Sequence, residues 1–132
     1  MNIEKNPLNV LGKPLRPCSF DPLTGFFRNG YCQTCFEDYG IHTVCIEACE
    51  EFLYYSKIKG NDLTTPIPEH NFKGLKAGDR WCLCASRWLE AYNDHMAPKV
   101  FLESTHEETL AIIPLKILKA YAIDSNTLEN HP

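Results

Sequence analysis

The sequence predicts an α+β fold: one compact domain with a small mixed β-sheet, three to four helices and a long irregular central loop. The length of 132 residues fits about one domain, and the hydrophobic content of 44% is that of an ordinary globular chain. Short strand-like runs also alternate with helix-like runs along the chain. We assign residues 1–123 to the domain and residues 124–132 to a polar C-terminal tail.

The first predicted elements lie before residue 33. Residues 8–17 alternate apolar side chains but contain Pro14 and Pro17, so they predict at most a short strand or an edge segment. Residues 26–32 place Asn29-Gly30 between two short β-prone runs, which predicts a hairpin with a type I′ turn.

The middle of the chain predicts a strand, a helix and then a long loop. Residues 42–48 alternate as a strand, with Val44 and Ile46 on one face and Cys45 on the other. Residues 50–59 predict a helix that has an acidic start, a basic end and a following glycine. Residues 61–79 carry prolines and glycines without periodicity, so they predict either a lid or a loop that wraps the core.

Residues 81–85 predict a buried central strand, which is followed by a helix over residues 86–95. That helix has an apolar stripe at helical spacing. Its members are Trp88, Leu89, Tyr92 and Met96.

The last third predicts shorter elements. Residues 100–102 fit a strand, and the pattern from Thr105 to Glu108 fits a capping box at the start of a short helix. Residues 112–113 fit a brief strand, and Pro114 suits the first position of the last helix.

Charge and hydropathy restrict the partners. The chain has 13 Lys and Arg against 17 Asp and Glu, a net charge of −4, so it lacks the basic excess on which nucleic-acid binding depends. No run approaches the ~18 apolar residues of a membrane span, and residues 1–7 do not resemble a signal peptide. We therefore expect a cytoplasmic protein whose partner is an unidentified small molecule, and neither nucleic acid nor a membrane.

Seven cysteines are the most unusual feature of the composition. Because cytosolic thiols are kept reduced and seven is an odd number, we expect free thiols and not a disulfide framework. The seven are Cys18, Cys32, Cys35, Cys45, Cys49, Cys82 and Cys84.

Cys82 and Cys84 are the strongest candidates for chemistry. Side chains two apart on a strand project from the same face, so both thiols are expected on one surface. Cys84 also precedes a predicted helix, whose N-terminus favours a thiolate, and Arg80 and Arg87 add positive potential. The alternative is that these cysteines are packed in the core as small apolar groups.

Asp38 and His42 lie close to Cys45 in the sequence. We predict His42 as a general acid and base and Asp38 as the group that orients it, with Cys84 and Cys82 as catalytic thiols. The alternative is that His42 only caps a strand.

A zinc site is possible but not favoured. The spacing of Cys32 and Cys35 suits a zinc knuckle, and the candidate ligands are Cys32, Cys45, Cys82 and Cys84. However, alternate residues on an extended strand are spaced ~6.6 Å apart, wider than neighbouring sulfurs on one zinc ion.

Several stretches of the chain resemble a known bacterial family. They are NVLGKPLRPCSFDPLTGFFRNGYC, IHTVC, EEFL, GNDLTTPIPEH, GLKAGDRWCLCASRW and APKVFLESTH, within residues 9–122. The family is the domain of unknown function 2237, and the resemblance implies a single cytosolic α+β domain of unassigned activity. Besides the four catalytic candidates, it implies a set of ligand-binding residues. These are Cys18, Asp21, Cys45, Asn61, Asp62, Asp79, Arg80 and His106.

Three functions are therefore open. The first is a small thiol-dependent enzyme, and the second is a non-enzymatic module that binds a metal or a small ligand. The third is an interaction protein whose cysteines belong to the core.

Overall fold

The computed structural model describes residues 4–124 and confirms the α+β class. The strands are β1 (Val44–Glu47), β2 (Arg80–Leu83) and β3 (Lys99–Val100). The α-helices are α1 (Glu50–Ile58), α2 (Ala85–Asn93) and α3 (Leu115–Ala120). Short 3₁₀ helices cover Pro68–His70, Leu102–Ser104 and Glu107–Ala111. Residues 125–132 of the predicted tail lie outside the described residues.

The three strands form one sheet in the order β2-β1-β3, and both pairings are antiparallel. Parallel pairing within residues 4–124 is confined to an isolated bridge between Val100 and Ala122. The strand that carries Cys82 is therefore an edge strand, and its predicted central position is wrong. Cys45 lies directly opposite Cys82 in the register.

The two faces of β1 enter different clusters, as its alternation predicts. Val44 and Ile46 belong to the main apolar core, together with Phe52 of α1 and Trp88 of α2. Cys45 points to the other face, because successive side chains on a strand alternate. There it belongs to a second buried cluster, which consists of Cys18, Cys32, Cys45, Cys82 and Phe101.

The helices pack where their patterns place them. α1 begins with Glu50 and Glu51 and is followed by Gly60 at φ +95°, the left-handed conformation that glycine adopts readily. Trp88 of α2 is fully buried, and its Nε1–H donates to the Pro98 carbonyl at 3.1 Å. This bond satisfies the one polar atom of a side chain that is otherwise apolar. No helix within residues 4–124 has the length and apolar character that a membrane crossing requires.

The long segment from residue 61 to 79 wraps the core. Leu63 and Leu75 are buried, and the Leu75 amide donates to the Leu63 carbonyl at 2.7 Å. The Phe72 ring packs on Trp81 with ring centroids 5.3 Å apart. These contacts support the wrapping alternative, and the lid stays a prediction.

The predicted hairpin at residues 26–32 is wrong. A type I′ turn needs positive φ at both central residues, but positive φ falls on Arg28 (+53°) and Gly30 (+91°), not on Asn29. The Asn29 side chain instead accepts a hydrogen bond from the Tyr31 amide at 3.1 Å. The segment is therefore a series of turns without a strand pair.

Three smaller predictions are also wrong. The predicted strand over residues 81–85 is too long, because β2 ends at Leu83 and Cys84 is the N-cap residue of α2. Cys84 therefore does not share a strand face with Cys82. The capping box is absent because His106, not Thr105, caps the helix Glu107–Ala111, with Nδ1 accepting from the Glu108 amide at 3.0 Å. Residues 112–113 form no strand.

Candidate functional site

Four of the seven cysteines form two buried disulfides. Cys18 is bonded to Cys45 and Cys32 to Cys82, with Cα–Cα distances of 5.7 and 5.3 Å that are usual for disulfides. The expectation that all seven are free thiols is therefore wrong for these four. The free cysteines are Cys35, Cys49 and Cys84, each partly buried.

The two disulfides follow from the register of the sheet. Pairing of β1 with β2 places Cys45 beside Cys82, and both project from the face opposite the main core. Their partners come from the loop that precedes β1, which we call the 18–32 loop. The Cys82 amide donates to Thr24 Oγ1 at 2.9 Å, which fastens this loop to β2 by a hydrogen bond as well.

The predicted metal ligands are only partly brought together. The sulfur atoms of Cys18, Cys32 and Cys82 all lie within 4.8 Å of one another, and Cys45 is bonded to Cys18. Cys84 is not part of this group. Cys18, which the predicted zinc set leaves out, is the member that belongs there.

A cavity of about 400 Å³ adjoins Cys82 of the Cys32–Cys82 disulfide and collects several of the predicted site residues. We call it the Cys84 cavity. It is lined by Gly25, Phe26, Arg28, His42, Asn61, Leu63, Trp81, Cys82, Leu83, Cys84 and Arg87.

His42 and Asp38 are joined by a side-chain hydrogen bond. His42 Nδ1 lies 2.6 Å from Asp38 Oδ1, and the Asp38 side chain is completely buried. The other carboxylate oxygen accepts from Thr34 Oγ1 at 3.0 Å and from the His42 amide at 2.9 Å. Because a carboxylate accepts hydrogen bonds, His42 Nδ1 donates to Asp38, and Nε2 is the ring nitrogen that this bond leaves free of Asp38.

Two backbone features place His42 beside the start of α2. Ile41 has φ +48°, a strained conformation for a β-branched residue. Its carbonyl accepts from the Ala85 amide at 3.0 Å and from the Thr43 amide at 2.9 Å. A Cβ on Gly40 would lie 2.5 Å from His42 Cε1, so only glycine leaves room for the ring.

Cys84 is the residue that precedes α2, and its thiol is not bonded to another cysteine. Its Sγ lies 3.2 Å from Ser86 Oγ. Within residues 4–124, the Ser86 and Arg87 amides have no acceptor, as expected in the first turn of a helix. Oriented N–H groups of this kind favour negative charge, including a thiolate.

The Cys84 cavity also contains two arginines and an amide. Arg28 extends over the Trp81 ring, with Cζ 5.1 Å from the ring centroid. Arg87 follows Cys84 by three residues, and its Nη1 donates to the Lys59 carbonyl at 3.1 Å. Asn61, a predicted ligand-binding residue, lines the same cavity.

The other predicted ligand-binding carboxylates lie in loops. Asp62 accepts from the backbone and side chains of Thr64 and Thr65. These bonds hold the pKa of Asp62 well below its usual range, and the bond from the Thr65 hydroxyl has the largest effect. Asp79 accepts from the Lys76 amide at 2.9 Å. Asp21 lies in an exposed turn.

Arg80 and His106 lie outside the Cys84 cavity. The Arg80 guanidinium stacks over Phe101, with Cζ 3.8 Å from the ring centroid. His106 is buried, and its Nε2 pairs with Glu4 Oε1 at 2.8 Å beside a second cavity that also contains Cys35. The structure thus brings together His42, Asn61, Cys82 and Cys84, with Asp38 behind His42, and separates the rest of the predicted set.

Sequence reasoning missed Arg28 and Trp81 as parts of the site. Arg87 carried a usable signal, because a residue three positions after Cys84 on a helix lies on nearly the same side. Arg28 carried none, since its position depends on the turns of the 18–32 loop and on two disulfides that the sequence did not predict.

Comparison with known proteins gives a family but no activity. A search of curated proteins found no match. Residues 8–122 match the model of a family described as "Uncharacterized protein conserved in bacteria (DUF2237)". Because the match covers most of the chain, this protein belongs to the bacterial family called domain of unknown function 2237.

Proposed function

We propose that this protein is a thiol-dependent enzyme in which Cys84 is the nucleophile, His42 the general base and Asp38 the residue that orients His42. The observation that carries the proposal is the hydrogen bond between the buried Asp38 and the half-exposed His42, which lines the same cavity as Cys84. A free thiol, an oriented imidazole and a buried carboxylate are the groups that nucleophilic thiol catalysis requires.

The chemistry fits acyl transfer. His42 Nε2 takes the proton from Cys84, and the thiolate attacks an acyl carbon of the substrate. The free Ser86 and Arg87 amides donate to the oxyanion that forms. Collapse of this intermediate gives a Cys84 thioester, and His42 returns its proton to the leaving group. Water then hydrolyses the thioester and restores the thiol.

Cys82 has no nucleophilic part in this proposal, although it lines the cavity. Its sulfur is bonded to Cys32, so it has no thiolate to offer. Cys82 instead helps to hold the 18–32 loop, and with it Arg28, against the cavity.

The test compares the alkylation rates of the three free cysteines. Under brief iodoacetamide treatment at neutral pH, we expect Cys84 to react about tenfold faster than Cys35 and Cys49, which are also partly buried. Peptide mass spectrometry measures all three in one sample, so Cys35 and Cys49 are internal controls. Equal rates for the three thiols would overturn the proposal.

Two variants separate general-base catalysis from simple exposure. We expect His42→Gln to slow alkylation of Cys84 by about tenfold or more and to leave Cys35 and Cys49 unchanged. Asp38→Asn should slow Cys84 in the same direction, since it leaves His42 without its anionic partner. If His42→Gln alkylates at the wild-type rate, His42 is not the base.

A second candidate function is favoured by the convergence of the buried sulfurs. Reduction of both disulfides by a dithiol would leave four thiols, three of whose sulfurs lie within 4.8 Å of one another. Tetrahedral zinc–thiolate coordination needs sulfurs about 3.8 Å apart, so the two sulfurs of each former disulfide would have to move apart and Cys45 would have to join the other three. One zinc per chain in protein prepared under reducing conditions, and unfolding on chelation, would support a metal module. Less than stoichiometric zinc, our expectation, would exclude it.

A further inference from the structure

The polar side chains of the Cys84 cavity are strongly biased in charge. Within the described range 4–124, its lining contains Arg28, Arg87 and His42 but no aspartate or glutamate. The chain as a whole carries a net charge of −4, so a carboxylate-free cavity with two guanidinium groups runs against the average composition. Clefts lined by one sign of charge attract ligands of the opposite sign.

Arg28 is the less engaged of the two arginines. Among residues 4–124, no carboxylate lies within salt-bridge distance of it, and its one side-chain hydrogen bond is from Nη1 to the Gly25 carbonyl at 3.5 Å. The Arg28 guanidinium lies over the Trp81 ring, with Cζ 5.1 Å from the ring centroid, and its N–H groups other than those of Nη1 make no hydrogen bond within residues 4–124. A flat guanidinium with free edge donors is suited to bind a carboxylate or a phosphate in bidentate fashion.

Arg87 is anchored but keeps donors as well. Nη1 donates to the Lys59 carbonyl at 3.1 Å and lies 3.3 Å from Glu90 Oε1. These contacts use a single nitrogen of the guanidinium. Arg87 also follows Cys84 within the first turn of α2, where the free Ser86 and Arg87 amides add further N–H donors for an anion.

We propose that the Cys84 cavity binds a small organic anion, whose carboxylate or phosphate group is held by Arg28 and Arg87. A volume of about 400 Å³ suits a small molecule. This inference rests on the proposed function, because it names the substrate class of the same site: anionic binding places the reactive carbon of the substrate at Cys84.

A matched pair of alkylating agents tests the charge preference. Iodoacetate and iodoacetamide react in the same way, with the thiolate sulfur displacing iodide to form a thioether, but only iodoacetate is anionic. We expect the ratio of the iodoacetate rate to the iodoacetamide rate to be about tenfold higher at Cys84 than at Cys35 or Cys49. Equal ratios at all three cysteines would overturn the inference.

Variants assign the preference to the arginines. We expect Arg28→Gln and Arg87→Gln each to lower the ratio at Cys84 toward that of Cys35 and Cys49. Arg80→Gln is the matched control, since Arg80 also stacks on an aromatic ring but lies outside the cavity. An equal loss in all three variants would show a general effect of surface charge and contradict an anion site at this cavity.

A binding measurement keeps this inference separable from the proposed function. In Cys84→Ala protein the thiol is absent, and titration with succinate or inorganic phosphate should still change the tryptophan fluorescence, to which Trp81 beneath Arg28 contributes together with Trp88. Arg28→Gln in the same background should weaken the response at least several-fold. Slow alkylation of Cys84 together with this binding would refute the thiol enzyme and retain the anion site. Fast alkylation without binding or charge preference would do the reverse.

Discussion

Cys82 and Cys84 are separated by one residue, yet the structure places them in opposite chemical situations. Cys82 is bonded to Cys32, is 1% exposed and lies opposite Cys45 across the sheet. Cys84 follows the last residue of β2, is partly buried and has a free thiol at a cavity. The end of a strand after Leu83 is thus what separates a structural sulfur from a candidate reactive one.

The difference teaches that the two sulfurs depend on each other through the 18–32 loop. The disulfides tie this loop to β1 and β2, and Arg28 on the loop forms part of the cavity that Cys84 lines. The four bonded cysteines therefore hold the loop that lines one side of the Cys84 cavity, and the free Cys84 thiol lines the same cavity.

The largest expected effect is on stability, when the Cys32–Cys82 disulfide is removed. We expect the double variant Cys32→Ala/Cys82→Ala to lose about 2–5 kcal/mol of unfolding free energy, because the bond closes a loop between residues 50 apart in sequence. Cys84→Ala should lose less than about 1 kcal/mol, since it leaves both disulfides intact. Urea denaturation compares the variants. Similar losses would show that Cys84 is as structural as Cys82.

The next effect concerns the hydrogen bond beside each sulfur. Thr24→Val removes the buried acceptor of the Cys82 amide, and the unpaired N–H should cost about 1–3 kcal/mol. Ser86→Ala removes the contact to the Cys84 thiol at an exposed position and should change stability by less than about 0.5 kcal/mol. Thermal denaturation measures both. A larger loss for Ser86→Ala would contradict the assignment of Cys84 to an accessible site.

Much of this comparison is predictable from the sequence, and the reasons for the rest are physical. Alternation on β1 correctly places Cys45 opposite the face of Val44 and Ile46, because a strand has a fixed period of two. The pairing of Asp38 with His42 also follows a local spacing. The same alternation fails for Cys84, because strand ends are set by tertiary contacts, here the bond from the Ala85 amide to the Ile41 carbonyl.

The disulfides and Arg28 depend on distant parts of the chain. Cys18 and Cys32 reach the sheet only because the 18–32 loop folds over it, with the Cys18 amide donating to the Gly30 carbonyl at 2.7 Å. Spacing along the sequence carries no information about such a contact. The expected cytoplasmic location, which argued for reduced thiols, stays a prediction.

A smaller effect is expected at Gly40, which lies beside His42. The Cβ of Gly40→Ala would lie 2.5 Å from His42 Cε1 and 3.0 Å from Nε2, so the imidazole ring must move. We expect alkylation of Cys84 to slow several-fold, with Cys35 and Cys49 unchanged and both disulfides retained. Peptide mass spectrometry measures the rates. A wild-type rate at Cys84 would show that the position of His42 does not govern the thiol.

The smallest effect is expected at the far end of α2, away from both sulfur environments. The Tyr55 hydroxyl donates to Asp94. Burial is the largest cause, and this hydrogen bond the second, of a Tyr55 pKa raised to about 12. The folded state then holds the phenol proton more tightly than the unfolded state. This contribution to stability is complete below pH 10 and is lost as pH rises toward 12. We expect Tyr55→Phe to flatten the decline in stability over that range slightly, because solvent screens an exposed pair. Urea denaturation at several pH values measures the slope. Alkylation of Cys84 at neutral pH should match the wild type, since Tyr55 does not line the cavity, and a changed rate would mean that the far end of α2 controls its start.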